Sequence, residues 1–582
     1  MRTLAGRLIV PLAAVLFASC SGRPTTLADA PAAAVSYENP VLPGDYPDPS
    51  VIRVGDEYWA TATTSQWAPI FPLLRSTDLV NWRLSGSVFQ TPPSWSAGSY
   101  WAPELWHDDN RFFVYYTARK RDGPLCVAVA DAPTPDGPYT DHGPLVCQEV
   151  GSIDALPVRD GQGRRYLIWK EDGNSRKLPT PLWAQPLSDN GLELTGEKRE
   201  ILRNEAPWEA HLIEGPFIVR RGEWLYLFYS ADACCGRQCN YKLGVARSKA
   251  VLGPWERHPE NPILAGNEEW KCPGHGSIVE GPSGRMFLLY HAYHPTDFEH
   301  VGRQGLLDEV TWDDARGWPA INGGRGPAGR RGPAAPARGT AAVVNDDFTG
   351  RVLDPAWQWP WDQAERPIVD PERGGWLRLR TGGMPVAVAA RPARAASYVA
   401  ETVVDVRGVA PGARVGLAAF GNRDNLLAVT VDRAEEAGGG LSVTVWRNQK
   451  GQRATLASHP VEEGGPVHLQ VKATDRARFQ FAVGSDGTQW KTLAPGADGG
   501  DLPPWDLAVR VALLVAGPPT ASGAFGTFRL EHVGPDAARA RGQRSTRAEG
   551  GARYPSAIPS LLRWRALSRS VPVSGRGAGC RV

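Results

Sequence analysis

Five residues able to hold or move a proton stand near the head of a repeated strand pattern: Asp48, Glu104, Asp154, Glu214 and His275. Three of the carboxylates sit among residues that restrict the backbone. Pro47 and Pro49 flank Asp48, Gly215-Pro216 follows Glu214, and Asp154 lies in Ser152-Ile-Asp-Ala-Leu-Pro157. Stiff neighbours keep a carboxylate aimed. Two aimed carboxylates are the minimum machinery for cleaving a glycosidic bond: the neutral one protonates the leaving oxygen, and the ionised one activates water or attacks carbon. A third can raise the acid's pKa by like-charge repulsion. Taken singly, each has an ordinary reading: a turn Asp beside proline at 48, a strand-start Asp at 154, a strand-edge ion pair at 214. Their recurrence at corresponding places argues for chemistry.

The elements that must position them recur five times, at a spacing of about 50 to 60 residues, the scale of propeller blades or solenoid units. Each unit reads as an acid or imidazole near a short apolar strand, a polar turn, an aromatic-rich strand such as Tyr166-Leu-Ile-Trp169, a small-residue strand, and a Gly-Pro-aromatic or Trp-bearing edge. Short strands separated by Gly and Asp turns favour blades over helical repeats. The expectation is an all-β chain beginning with a five-bladed β-propeller over 37–322, its five head residues converging on the axis.

At 582 residues the chain has room for more than one domain. A net charge of +2 excludes a strong nucleic-acid or membrane field. The 22 Trp against 3 Met provide flat faces suited to sugar rings as well as to blade cores. Arg2 and Arg7 before the apolar run 8–18 have the form of a secretion signal over 1–20, and Phe17-Ala-Ser-Cys20 reads as a lipoprotein box with Cys20 as the lipidated residue. A Pro/Ala/Thr-rich tether spans 21–36. Export permits disulfides. Cys126 and Cys147 share a blade and can pair; Cys234, Cys235, Cys239 and Cys272 are read as disulfide-forming, and Cys580 as the odd thiol.

Six motifs in order, Asn39–Ser50 (ending Tyr-Pro-Asp-Pro-Ser), Trp101-Ala-Pro-Glu104, Ser152-Ile-Asp154, Ile213-Glu-Gly-Pro216, Pro273-Gly-His-Gly-Ser277 and Gly302-Arg-Gln304, resemble glycoside hydrolase family 43 over 37–322. The resemblance implies a five-bladed propeller that hydrolyses arabinose- or xylose-containing glycans with inversion. It makes Asp48 the general base, Glu214 the general acid, and Asp154 the residue that tunes the acid and orients substrate. It makes His275 and Arg303 support residues, Arg303 binding a sugar hydroxyl or steering Asp154. His275 contacts Asp154 or ligates a central cation, a structural calcium, with no cofactor required for the reaction. It places the sugar-stacking wall at Trp67, Phe71 and Trp101, Trp101 foremost. Asp45 is read as a turn residue, His291 as a packed strand residue, and Glu104 as structural.

A Gly/Pro/Arg-rich linker is expected over 323–341. Alternating strand-like runs from 376 to 532 then predict a β-sandwich of concanavalin-like jelly-roll type over 342–534. Asp346-Asp-Phe and Trp357 resemble the opening of the C-terminal sandwich of some family 43 β-xylosidases and α-arabinofuranosidases, in which a loop closes one end of the pocket. Residues 535–582 hold ten Arg against two acids, a basic tail with little periodicity. Together these readings predict an exported, lipid-anchored enzyme of the α-L-arabinofuranosidase or β-xylosidase type. Its partners are arabinose- or xylose-containing glycans, with no nucleic acid and no membrane contact beyond the anchor. The rivals are an endo-arabinanase with an open cleft and a non-catalytic glycan-binding propeller.

Overall fold

A computed structural model describes residues 36–331, 343–436 and 439–533. The signal segment with Cys20, the tether apart from Ser36, most of the linker, Cys580 and the basic tail lie outside the described residues. Five four-stranded antiparallel sheets follow one another along the chain, beginning at Ser50–Val54, Trp101–Asp108, Ser152–Arg159, Ile213–Arg221 and Lys271–Glu280. The second strand of each blade is nearly continuous in apolar residues (Arg111–Arg119, Arg165–Glu171, Trp224–Ala231 and Met286–Tyr293 among them) because blades stack face to face and bury both sides. Each inter-blade seam has its own core: Trp59 and Ile70 against Leu105 and Val114, Phe113 against Leu167, Ile168 against Leu227, Phe228 against Leu288, and Tyr58 against Leu289.

One backbone device recurs at the axis. Asp48, Ala102, Asp154, Gly215 and His275 all adopt left-handed φ, at 50°, 41°, 57°, 57° and 41°. In blades two to five the pairing register slips at the same place, a β-bulge that turns the strand and re-aims its side chains. The equivalent head residues are therefore Asp48, Ala102, Asp154, Gly215 and His275. This corrects the alignment that put Glu104 and Glu214 there: Glu104 lies two residues beyond its head and Glu214 one before.

The ring is closed by the stretch read as the start of the linker. Asn322–Gly324 forms a 3-10 turn, and Arg330–Arg331 pairs with Tyr37–Glu38. The Asn39 amide donates to the Leu307 and Ala328 carbonyls at 3.1 and 2.8 Å and its oxygen accepts the Leu307 N–H at 2.9 Å. Composition misled here because Gly and Arg also serve tight, solvent-facing closure strands.

The second body is a sandwich of an eight-stranded and a six-stranded antiparallel sheet over a core that includes Trp357, Leu417, Leu469, Leu513 and Phe528. It is joined to the propeller by a built interface. Trp359–Pro360 pairs with Trp67–Ala68, and Trp67 meets Phe420 edge-on at 5.8 Å between ring centroids. Asp45, expected to be a turn residue, is a buried ion-pair partner: it accepts from Arg510 Nη1 at 3.0 Å and from the N–H groups of Arg303 and Ala508 at 3.2 and 3.3 Å.

Candidate active site

Asp48, Asp154, Glu214, His275, Arg303 and Trp101 all line one cavity of ≈ 690 Å³ at the propeller axis. Asp48 is held on every side. Its Oδ2 accepts from the Thr63 hydroxyl at 2.7 Å, and Thr63 Oγ1 in turn accepts the Ala102 N–H at 2.7 Å. Its Oδ1 accepts from Arg303 Nη1 at 3.0 Å and lies 3.4 Å from His275 Nδ1. Arg303 thus steers Asp48 and not Asp154. Burial would push the Asp48 carboxyl up, but the Arg303 guanidinium and His275 outweigh it and hold it well below the usual carboxylate range.

His291 completes the cradle. Its Nδ1 accepts the Asp48 N–H at 3.0 Å and also lies 3.3 Å from Oδ1. One nitrogen cannot accept the first and donate to the second. Burial pushes the imidazole down to about 4, so it is neutral at pH 7, and Nδ1 serves one of the two Asp48 groups at a time. The ring stacks on Tyr241 at 5.7 Å between centroids.

Asp154 and Glu214 form a second centre. Asp154 Oδ2 accepts the Gly215 N–H at 2.9 Å, which ties it to the residue after Glu214. His275 Nδ1 lies 4.0 Å from Asp154, beyond hydrogen-bond reach. His275 is itself seated by its N–H on Ser230 Oγ at 2.8 Å. Glu214 accepts from the Tyr241 hydroxyl at 2.9 Å and from Lys170 Nζ at 2.7 Å; Lys170 also donates to Asp172 at 3.0 Å. Burial pushes Glu214 up, but the Lys170 ammonium with its hydrogen bond, His275 and Tyr241 hold it below the ordinary glutamate value. Asp154 goes the other way: burial, opposed by His275 and reinforced by the neighbouring Glu214 charge, pushes it up to about 6. The two titrate as a pair, whose proton rests on Asp154 while Lys170 faces Glu214.

Lys170 escaped sequence reading, though its signal was present: one cation inside the apolar strand Arg165–Glu171, buried with its neighbours. Also unforeseen were the particular residues with which the sandwich reaches the cavity. Trp505 and Asp506 line it; Asp506 Oδ2 accepts from Ser65 Oγ at 2.9 Å, Ser65 Oγ accepts from Trp101 Nε1 at 2.9 Å, and the Asp506 carbonyl accepts from Arg303 Nη2 at 3.4 Å. Trp67 and Phe71, expected in the stacking wall, are instead buried, Trp67 against the sandwich and Phe71 in the seam between blades one and two. Glu104 shares hydrogen bonds with Ser50 and Ser277, and burial pushes its carboxyl up to about 8, a neutral spacer among the inner strands.

A calcium on His275 meets an unsuitable donor set. Calcium takes about six to eight oxygen ligands, while the oxygens nearest His275 are engaged by Arg303, Thr63 and Gly215. Among the described residues no group of three or more His, Cys, Asp or Glu is arranged to share an ion. The residues do not fit that cation, and no step below runs through one.

Comparison with known proteins agrees with this architecture. Residues 37–319 match Glycosyl hydrolases family 43, and residues 345–504 match the β-xylosidase C-terminal concanavalin A-like domain. The chain is 27% identical over 504 residues to xylosidase/arabinosidase 43B of Humicola insolens, covering 79% of this chain and 89% of that one. It is 27% identical over 520 residues to a xylan 1,3-β-xylosidase of a Vibrio species, covering 79% and 91%. Among solved structures, a family 43 protein from Bacillus licheniformis superposes with a TM-score of 0.74 at 24% identity, over 86% of this chain and all of that one. The xylan β-1,4-xylosidase of Bacillus halodurans gives 0.73 at 22%, over 85% and 100%. A propeller whose axis gathers three carboxylates, followed by a sandwich that reaches the same cavity, thus belongs to a glycoside hydrolase built from a family 43 catalytic domain and a β-xylosidase-type C-terminal domain.

Proposed function

We propose that the enzyme removes terminal xylose or arabinose from plant-type polysaccharides or their oligosaccharides, by inversion, with Asp48 as general base and Glu214 as general acid. The observation that carries this reading is the convergence of Asp48, Asp154 and Glu214, from three blades, on one cavity that Trp505 and Asp506 of the sandwich wall on one side. A walled pocket suits a chain end better than the interior of a polymer, which sets the endo-arabinanase alternative second. The names of the relatives, xylosidase/arabinosidase and xylan 1,3-β-xylosidase, point to the same two pentoses.

In this reading Asp48, kept ionised by Arg303, takes a proton from water as that water attacks the anomeric carbon. Glu214 gives a proton to the glycosidic oxygen on the opposite face, the C–O bond breaks, and the configuration inverts. Asp154 is the positioning residue. It fixes the Gly215 N–H and, as the higher of the paired carboxyls, stores the proton that Glu214 must carry. Lys170 has a second partner in Asp172 and can leave Glu214 when a glycosidic oxygen arrives. The reading also places the protein in the export route, anchored through Cys20; three disulfides, Cys126–Cys147, Cys234–Cys235 and Cys239–Cys272, suit an oxidising compartment.

The test is pentose release from para-nitrophenyl β-D-xyloside and α-L-arabinofuranoside and from xylo- and arabino-oligosaccharides, with the product anomer read by NMR. Asp48→Ala should abolish turnover of all of them. Glu214→Ala should abolish it for oligosaccharides but spare much of it for a 2,4-dinitrophenyl glycoside, whose leaving group needs no proton. Retention of configuration, or full oligosaccharide activity in either variant, overturns the assignment.

A further inference from the structure

Cys234 and Cys235 are neighbours in sequence, bonded to one another, and both line the catalytic cavity. A disulfide ordinarily stabilises by closing a long loop of the unfolded chain. A bond between adjacent residues closes almost none, so this one is not explained as a staple. The staple of this loop is its neighbour: Cys239–Cys272 ties the segment after Trp224–Ala231 to the first strand of blade five, three residues before His275. Further contacts fix the turn. The Gly236 N–H donates to the Tyr293 hydroxyl at 3.3 Å, and Arg237 pairs with Glu299 at 2.6 Å and bonds the Gly500 carbonyl. A Cβ on Gly236 would stand 3.1 Å from the Trp505 carbonyl, so the turn packs directly on the sandwich loop.

What the vicinal pair adds is a surface. Many of the side chains around the cavity are charged, among them Asp48, Asp154, Lys170, Asp172, Glu214 and Arg303. A pentose presents hydroxyls at its rim but C–H groups on its faces, and these need an apolar, polarisable partner. Two linked sulfurs supply that with neither a strong donor nor a strong acceptor. The position is also defined: Ser230 pairs with Glu214 across the strands, and the cysteines follow four and five residues later. They therefore stand on the Glu214 side of the cavity. We propose that the Cys234–Cys235 disulfide is a substrate-binding surface, the apolar wall of the leaving-group subsite, against which the C–H face of the departing sugar packs. The proposal rests on Glu214 being the general acid, because that places the leaving group on its side.

The test uses the full-length protein with Glu214→Gln, which keeps the pocket and removes turnover, with and without Cys234→Ala/Cys235→Ala. Calorimetry would measure xylobiose, arabinobiose and the free pentoses. The expected result is disaccharide binding weaker by roughly tenfold, monosaccharide binding unchanged, and an unshifted melting temperature. Unchanged disaccharide affinity in a folded double variant overturns the proposal. So does an equal loss for both sugars with a lower melting temperature, the mark of a merely structural bond. A second measurement needs no variant: the rate at which a phosphine reduces the Cys234–Cys235 bond, read by mass spectrometry, should fall in saturating disaccharide and not in monosaccharide. Equal rates refute the contact. Should the wild type release no pentose while disaccharide still shields the bond, the hydrolytic reading and the leaving-group assignment fail together, and only a sugar-contacting surface at the disulfide remains.

Discussion

Replacing Lys170 by Met should move the alkaline limb of the pH–rate profile upward. Lys170 Nζ is 2.7 Å from Glu214 Oε2, and its side chain is 1% exposed. A unit charge pair at about 4 Å in an effective dielectric of about 20 is worth about 4 kcal/mol, or roughly three pKa units at about 1.4 kcal/mol each. The realised shift is smaller than this charge term alone. Tyr241 still donates to Glu214, and the cavity admits water to both Glu214 and Asp172 once the ammonium is gone. The net expectation is a rise of about one to two units in the pKa of the Glu214–Asp154 pair. Because Glu214 must hold a proton to act as the acid, kcat/KM should persist to correspondingly higher pH. The assay is kcat/KM for an aryl pentoside from about pH 4 to about pH 9 at constant ionic strength. Lys170→Arg, which keeps the charge, is the control and should leave the limb within about half a unit. An alkaline limb that Lys170→Met leaves in place, or lowers, refutes the idea that this ammonium sets the acid's proton affinity.

Two further outcomes follow from buried charge. Asp154 is pushed up to about 6 from an ordinary 3.8, so its contribution to stability is fully present below about pH 4 and is lost as the pH rises through about 6. The loss is at most about 3 kcal/mol. The melting temperature of Asp154→Asn relative to wild type should therefore climb between pH 4 and pH 7.5, even as activity falls, and a flat difference would show that Asp154 ionises without penalty. Asp45→Asn leaves Arg510 buried without its counter-charge, a loss of about 3–5 kcal/mol. It should lower both the melting temperature and kcat/KM, with partial recovery of the melting temperature in Asp45→Asn/Arg510→Met; a variant as stable as wild type would mean the pair is idle.

The sequence made the propeller legible because each blade repeats one strand order, with an aromatic strand that must be buried on both faces. It made Asp48, Asp154 and Glu214 legible because proline and glycine bracket two of them. It hid the true register of the heads. The device that aligns the blades is a backbone conformation, and Ala102 and Gly215 adopt it without advertising any chemistry. Lys170 was hidden by its apolar neighbours. The Asp45–Arg510 pair and the Trp505–Asp506 wall were hidden by distance along the chain, since no local pattern relates residues some 460 positions apart. In the sandwich, Val386–Pro392 is rich in alanine, and Gln452–Val461 is an exposed outer strand with little apolar alternation, so neither stood out as a strand.

The common left-handed turn separates the mounting from what is mounted. Each blade offers the same bracket at the axis, and only blades one, three and five fit it with a side chain that titrates. Blade four's bracket is shut by its neighbour: a Cβ on Gly215 would meet the His275 ring at 2.8 Å. Blade two's holds a buried alanine, 4% exposed and outside the residues that line the cavity. Ala102 already carries a Cβ in the left-handed conformation, which Asn and Asp tolerate better than most residues, and its N–H is anchored on the same Thr63 hydroxyl that orients Asp48. For a protein engineer, this ring comes with one spare position whose backbone has already been bent to shape.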